Sequence, residues 1–414
     1  MKNKYIILIA FLFFTQTSEA QWFLQNSGVS SPLYDIEMIN NNIGWTCGEN
    51  GIILKTTDGG MDWEQQITNV PNKPLFGIHP VNENIVYSVG WFGTILKTTN
   101  GGSKWIALEN GTTDDGNYFC VFFINELTGW IGENNNSGQG NVKKTTDGGL
   151  TFTSSYTFGW PRDLYFKDSL NGVGVDGAAT IHRTTNGGDN WNSFTIAGFG
   201  DFYRVSFIDE NTGFVIGSSS NKVYKTTDFG KSWSEIGYVE GVPGFLYCSK
   251  FTSDSIGWVG GTFYLYKSTN GGVNWKRENL SAGYFNSISA INDSIVWTCG
   301  NPGRIWHTTN GGDTTTDISQ ISENIPESFM LMQNYPNPFN STTKIKFTLL
   351  KSGNYKIDIL NTLGQKLEEI FHKQLNYGIY EVSFNADKLN SGIYFYRLYL
   401  NDIPLDTKKL ILIK

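Results

Sequence analysis

Short runs of alternating apolar and polar residues, separated by clusters of Gly, Asn, Asp and Ser, fill most of this chain, the pattern of strands and turns. The first unit reads as four strands. LYDIEMI (33–39) is an inner strand, GWTCG (44–48) a second, GIILKTT (51–57) a third, and WEQQI (63–67) a fourth after the turn DGGMD. The unit then returns. KTTDGGMDW from Lys55 reappears as KTTNGGSKW, KTTDGGLTF, RTTNGGDNW, KTTDFGKSW, KSTNGGVNW and HTTNGGDTT, from Lys97, Lys144, Arg183, Lys225, Lys267 and His307. A period near 40 residues carrying four strand-like segments predicts propeller blades, here seven.

The ends of the array fit together. The seventh box lacks its Trp, while QWFLQN at residues 21–26 resembles DWEQQI and KWIALE. A strand over 22–27 is therefore expected to complete the last blade, so that the ring closes without a long exposed edge. Within each box the Asp or Asn (Asp58, Asn100, Asp147, Asn186, Asp228, Asn270, Asn310) suits a turn acceptor braced by Thr hydroxyls and glycines at positive φ. Asn shares the position with Asp, which argues against a metal site.

After residue 313 the pattern changes. DTTTDISQISENIPES reads as a linker over 314–328, and TKIKFTL, YKIDIL, YEVSFN, GIYFYRLYL and KKLILIK read as strands of a small Ig-like β-sandwich over 329–414. The expected class is all-β, a seven-bladed propeller over 21–313 followed by that sandwich.

Residues 1–20 have Lys2 and Lys4 before an apolar run and a small-residue site at Ala20, the form of a signal peptide. No later segment reaches the roughly 18 apolar residues of a membrane span. Without Lys2, Lys4 and Glu19 the net charge moves from −7 to −8, which argues against nucleic acid as a partner. The four cysteines repeat by position, Cys47 with Cys299 and Cys120 with Cys248, and are expected as buried thiols; Cys47 and Cys299 form the one pair worth testing for a bridge.

Thr56, Asp58, Gly60 and Trp63 resemble the Asp-box, or BNR, repeat of sialidase-like propellers, and GWTCGENGIILKTTDGG more closely resembles the Ycf48-like photosystem II assembly factors, which implies their seven-bladed fold over about residues 22–313. NYPNPFN, DILNTLGQ, LNSGIYFYRL and the terminal KKLILIK resemble the type A C-terminal sorting domain of the type IX secretion system of Bacteroidota. That resemblance implies export across the outer membrane, with secretion or display on the cell surface, and the type IX machinery as a partner of residues 329–414.

Propeller ligands usually meet the channel mouth, on loops leading into inner strands and between second and third strands. Alignment of the blades puts Tyr34, Phe76, Phe119, Arg162, Tyr203, Tyr247 and Asn286 at the start of the inner strands, with Asp35, Glu37, His79, Asp163, Arg204 and Lys250 on the next alternating positions. Glu49, Trp91, Phe92, Glu133, Asp176 and Arg304 fall in or beside the loops between second and third strands. An aromatic collar with charges below it suits a protein or glycan ligand bound without chemistry.

Two alternatives stay open. Asp35, Asp163, Glu49 and Glu133 offer carboxylate pairs to a glycan hydrolase, and Arg162, Arg204 and Arg304 offer contacts to a protein in an assembly role like that of the Ycf48 relatives. Sialidase chemistry departs from the pattern, since Arg-Ile-Pro is missing and seven blades replace that family's six. Neither a G-x-S-x-G elbow nor metal-ligand spacing of His and Cys occurs, and no cofactor is expected.

Overall fold

The structure is a computed structural model that describes residues 22–108, 116–134, 140–195, 200–278, 280–281, 283–312, 318–322, 326, 328–340, 342–386 and 389–414. The expected signal peptide, part of the loop GENNNSGQGN and much of the expected linker lie outside these residues. The chain divides into two compact units, Gln21–Gly312 and Asp313–Lys414.

Seven antiparallel four-stranded sheets make up the first unit. Blade one runs Leu33–Met38, Gly44–Gly48, Ile53–Thr56 and Glu64–Gln65 in spatial as in chain order. Blades two to six repeat that order. In blade seven, Tyr284–Ala290, Val296–Asn301 and Arg304–Thr308 are joined by Phe23–Gln25 from the other end of the chain, in the register Phe23 with His307 and Gln25 with Ile305. Phe23 follows Trp22 as Glu64 follows Trp63, and Glu64 pairs with Lys55 at the matching place in blade one.

The latch is anchored on both sides. Trp22 is buried and its Nε1 donates to Glu278 Oε2 at 2.9 Å. Gln25 donates to the Gly59 carbonyl at 2.9 Å and accepts from Trp63 Nε1 at 3.1 Å, tying blade seven to blade one.

The second strand of each blade lies between two others and faces neighbouring blades on both sides, so Gly44–Gly48 and its equivalents are buried along their whole length. Their first residue answers to the residue paired with it at the end of the inner strand. Gly129, Gly172, Gly213 and Gly257 face Phe123, Phe166, Phe207 and Phe251, and Gly44 faces Met38, whereas Val86 and Val296 face the smaller Pro80 and Ala290. A Cβ on Gly172 would overlap the ring of Phe166. Gly172→Val is therefore expected to destabilise the propeller by about 1–3 kcal/mol, as overpacking does, whereas Val86→Gly should cost a similar amount by opening a void; chemical denaturation of both variants checks the pair.

The boxes work through hydrogen bonds that Asp and Asn make equally well. Thr56 Oγ1 donates to Asp58 Oδ1 at 2.9 Å and accepts from Gly60 N at 2.8 Å, while Asp58 Oδ1 also accepts from Asp62 N at 3.0 Å. Asn100 and Asn186 repeat these bonds through their side-chain carbonyl. Gly59 and Gly60 have φ of 76° and 89°, which explains the pair of glycines.

The residue that opens each box joins one blade to the next. Lys55, Lys97, Lys144, Lys225 and Lys267 lie over Trp45, Tyr87, Trp130, Phe214 and Trp258 on the paired second strand, with Nζ 5.0–5.8 Å from the ring centres. Lys55 and Lys97 also donate to the carbonyls of Gly101 and Gly148 in the following box. In blade seven His307 stacks on Trp297 instead, with ring centres 4.3 Å apart, and Trp297 Nε1 donates to the Gly59 carbonyl of blade one at 3.0 Å. All four cysteines are buried free thiols, and burial pushes the Cys248 thiol up to about 12, which leaves it unreactive.

The second unit has two four-stranded sheets. Ile318–Ser322, Gly378–Asn385, Thr342–Leu349 and Met330–Leu331 form one; Lys366–Leu375, Gly353–Leu360, Gly392–Leu400 and Ile403–Leu412 form the other. Phe347 and Val382 of the first meet Ile357, Leu398 and Leu410 of the second in one core. The expected linker is corrected here, because Ile318–Ser322 is an edge strand paired with Gly378–Asn385; an edge strand is held by backbone bonds along one side and needs no apolar signature. NYPNPFN is fastened to the last strand, with Phe339 N donating to the Ile411 carbonyl at 3.0 Å and Ile413 N to the Phe339 carbonyl at 2.9 Å. Buried Asn334 donates to Thr343 Oγ1 at 2.9 Å.

Candidate ligand site at the propeller mouth

Every blade carries an irregularity at the same place in its inner strand. Pairing with the second strand passes from Leu33 to Asp35, Leu75 to Gly77, Tyr118 to Cys120, Pro161 to Asp163, Leu246 to Cys248 and Phe285 to Ser287, skipping one residue each time; in blade five it passes from Phe202 to Val205 and skips two. A bulge re-aims the side chain it carries. The skipped residues are Tyr34, Phe76, Phe119, Arg162, Tyr203, Arg204, Tyr247 and Asn286, and all eight line one cavity of about 180 Å³.

That cavity is walled by contacts running from blade to blade. Tyr34 stacks on Phe76 with ring centres 4.7 Å apart, and Phe76 meets Phe119 at 5.3 Å. The Arg162 guanidinium sits 5.4 Å from the Phe119 ring centre and 4.6 Å from that of Tyr203, which meets Tyr247 at 5.5 Å. Asn286 completes the circle by donating to the Leu33 carbonyl at 2.7 Å. Arg162 Nε is buried and meets no acceptor among the described residues. Tyr34 donates to Glu49 Oε2 at 2.6 Å, and burial together with that bond pushes its hydroxyl pKa upward.

Below the collar lies a channel cavity of about 280 Å³ bordered by Asp35, Glu37, His79, Asp163, Arg204 and Lys250 among others. Arg204 lies 2.9 Å from Asp35 and 3.7 Å from Asp163. Asp35 also accepts from Ser287 Oγ at 2.7 Å and from Ile78 N at 3.0 Å. Asp163 has the longer ion pair and two backbone donors, Leu164 N and Val205 N, each at 3.0 Å. Burial outweighs them and pushes its carboxyl up to about 6. Burial opposes the charge of Arg204, but the two carboxylates prevail and its pKa is raised. Deeper, Glu37 lies 3.3 Å from His79 Nδ1, and His79 Nε2 lies 3.0 Å from the Phe123 carbonyl. Glu37 sits within the channel wall yet its side chain is 42% exposed, so water reaches this level. Burial disfavours the charged imidazole, and Glu37 more than offsets it, raising the His79 pKa.

The remaining expected residues separate. Trp91 packs on Phe76 at 5.3 Å and extends the collar outward, with exposed Phe92 beside it. Arg304 reaches Ser281 Oγ at 3.3 Å and borders neither cavity. Glu133 is buried against Lys143 at 2.8 Å, and Asp176 against His182 at 2.9 Å, so both serve their own blades. Among the described residues, no group of three or more His, Cys, Asp or Glu is placed to hold a metal ion.

Sequence reasoning missed the outer rim. Trp160, Phe245 and Tyr284 are exposed and stand two residues before Arg162, Tyr247 and Asn286, and exposed Phe263 joins them from a loop between second and third strands. Alignment of that earlier position would have found three of them. At the other end of the blades, Met61, Leu127, Leu150, Leu170, Val273 and Ile291 are exposed in the turns, where no aromatic ring is exposed among the described residues.

Residues 14–155 match the family model described as photosynthesis system II assembly factor YCF48, and residues 333–414 match that of the secretion system C-terminal sorting domain. The chain is a Ycf48-like propeller with a sorting domain. Photosystem II assembly lipoprotein Ycf48 of Synechococcus sp. (strain CC9902) is 28% identical to it over 148 residues, 34% of this chain and 44% of that protein. The chain thus spans less than half the length of that relative. A YCF48 bound to a D1 peptide superimposes with a TM-score of 0.58 at 18% identity, covering 70% of this chain and 97% of that one. YCF48 from Cyanidioschyzon merolae gives 0.57 at 17%, covering 69% and 98%, and the WD40 propeller of Doa1 gives 0.54 at 12%, covering 71% and 97%. Likeness at such identities establishes the fold. The sorting domain directs this Ycf48-like chain through type IX secretion to the cell surface or extracellular space. No helix among the described residues is long and apolar enough to cross a membrane.

Proposed function

We propose that this chain is an exported binding module without chemistry of its own, which captures a protein ligand by a segment laid across the aromatic mouth. The supporting observation is the collar itself, to which all seven blades contribute a side chain. Aromatic and arginine side chains around a partly apolar pocket are the composition of binding hot spots. Exposed rings Trp91, Phe92, Trp160 and Tyr284 widen that surface, and Arg162 brings a positive charge to the cavity wall. The YCF48 neighbour bound to a D1 peptide supports a polypeptide as the ligand class.

A hydrolase has less support, because its candidate carboxylates are engaged: Asp35 and Asp163 with Arg204, Glu133 with Lys143, and Glu49 with Tyr34. The test immobilises the mature chain and exposes it to surface-protein extracts and to polysaccharides, recording retention and released sugar. A retained, identified protein whose affinity falls about tenfold or more, roughly 1.4 kcal/mol, in Phe76→Ser and Tyr247→Ser but is kept in Met61→Ser is the expected result. Released sugar that disappears in Asp163→Asn, or retention indifferent to the collar, would overturn the reading.

A further inference from the structure

Among the described residues, only Arg204 borders both the collar cavity and the channel cavity below. It follows the bulge residue Tyr203 as Asp35 follows Tyr34, and in blade five the pairing resumes only at Val205 with Val215, so neither Arg204 nor Ile216 is in that ladder. Its guanidinium is held unevenly, through Nη2 by Asp35 at 2.9 Å and through Nη1 by Asp163 at 3.7 Å. Asp35 is fixed by Ser287 and Ile78 N, so that side of the fork is anchored. The side toward Asp163 rests on charge attraction at a distance beyond a hydrogen bond.

We propose that Asp163, through Arg204, couples proton uptake in the channel to the collar, so that the ligand site proposed above responds to pH. Neutralising Asp163 removes the attraction on one arm of the fork and leaves Arg204, which borders the collar cavity together with Tyr203 and Tyr247, held by Asp35 alone. It also removes one negative charge from beneath the collar, so the mouth becomes more positive as pH falls. The groups facing Asp163 are Arg204 of blade five, Asp35 of blade one and Cys120 of blade three. Glu37, His79 and Lys250 stand lower in the same channel. Its carboxyl is poised to exchange its proton near pH 6, whereas Glu37 and His79 border the channel cavity and not the collar cavity and act chiefly on each other, reaching this cluster only through the charges of Arg204 and Asp35.

The coupling rests on the collar reading for its purpose but is measured on the free protein, so failure to find a ligand and failure of the coupling are separate results. An isotopically labelled mature chain is titrated by NMR between about pH 4.5 and 7.5, following the Asp163 carboxyl carbon, the Arg204 guanidinium and the Tyr203 and Tyr247 rings. All are expected to shift with one midpoint near 6. In Asp163→Asn the Arg204 and tyrosine shifts should vanish, while His79→Gln should leave them in place. Arg204→Lys, which keeps the charge but loses the fork, is the second variant: Asp163 should still titrate while the tyrosines no longer follow. Collar signals that do not move in the wild type, or that keep the same midpoint in Asp163→Asn, would overturn the proposal.

Discussion

Replacing Trp22 by Ala is expected to lower the unfolding free energy of the propeller by about 3–5 kcal/mol, the range for truncating a buried Trp. The lost indole is buried, and its removal takes from Glu278 Oε2 the Nε1 donor at 2.9 Å. It also weakens the three-residue strand that makes seven open blades a ring. Gln25→Ala should add a smaller loss of about 0.5–1.5 kcal/mol per hydrogen bond, from its bonds to Gly59 and Trp63. Phe194→Ala, on an exposed outer strand, is the control and should change stability little. Equilibrium denaturation of the three variants checks this, and a Trp22→Ala shift as small as that of the control would mean that the ring does not depend on its latch.

Arg204→Met carries the second large effect. It leaves Asp35 and Asp163 facing one another across the channel, with Arg204 only 19% exposed in the intact protein. Removing one partner of a buried ion pair costs about 3–5 kcal/mol, and the water-filled channel should hold this case near the lower end. The loss should depend on pH. The folded-state pKa of Asp163 is raised to about 6, by burial before any other cause, so its contribution favours the fold most at low pH and is lost as pH rises through that value. Arg204 pulls that pKa down, and without it the proton should stay on to still higher pH. The deficit of Arg204→Met should therefore shrink on acidification, and Asp35→Asn in the same chain should restore part of it at neutral pH. Thermal unfolding of both variants across this range tests the sign.

Most of the propeller was legible because its constraints are local and repeated seven times. Each box carries its own turn acceptor and glycines, and the Trp missing from the seventh box stands at residue 22. The collar was legible for the same reason, since alignment on the second strand brings its seven residues to one level. What alternation could not supply was the bulge. Tyr34 and Asp35 are consecutive, and strict two-residue periodicity would send them to opposite faces, yet the skipped pairing lets both reach the channel. Arg204 was found by the same alignment, at the place of Asp35 and Asp163, but its reach into both cavities has no local signature, because Tyr203-Arg204-Val205 alternates as the other inner strands do. Ile318–Ser322 was hidden for a different reason, its place being set by backbone pairing to Gly378–Asn385, some 60 residues later.

Site-specific photocrosslinking will show whether this exported chain meets its partner at the mouth collar. A photoreactive phenylalanine analogue is placed at Phe76 in the collar, at Phe92 on the rim and at Met61 on the opposite end, in the full chain exported by its own cells. Adducts to one discrete protein from positions 76 and 92, with none from 61, are predicted. Adducts from position 61 alone, or none from the collar while the same partner co-purifies, would place the partner elsewhere on the propeller.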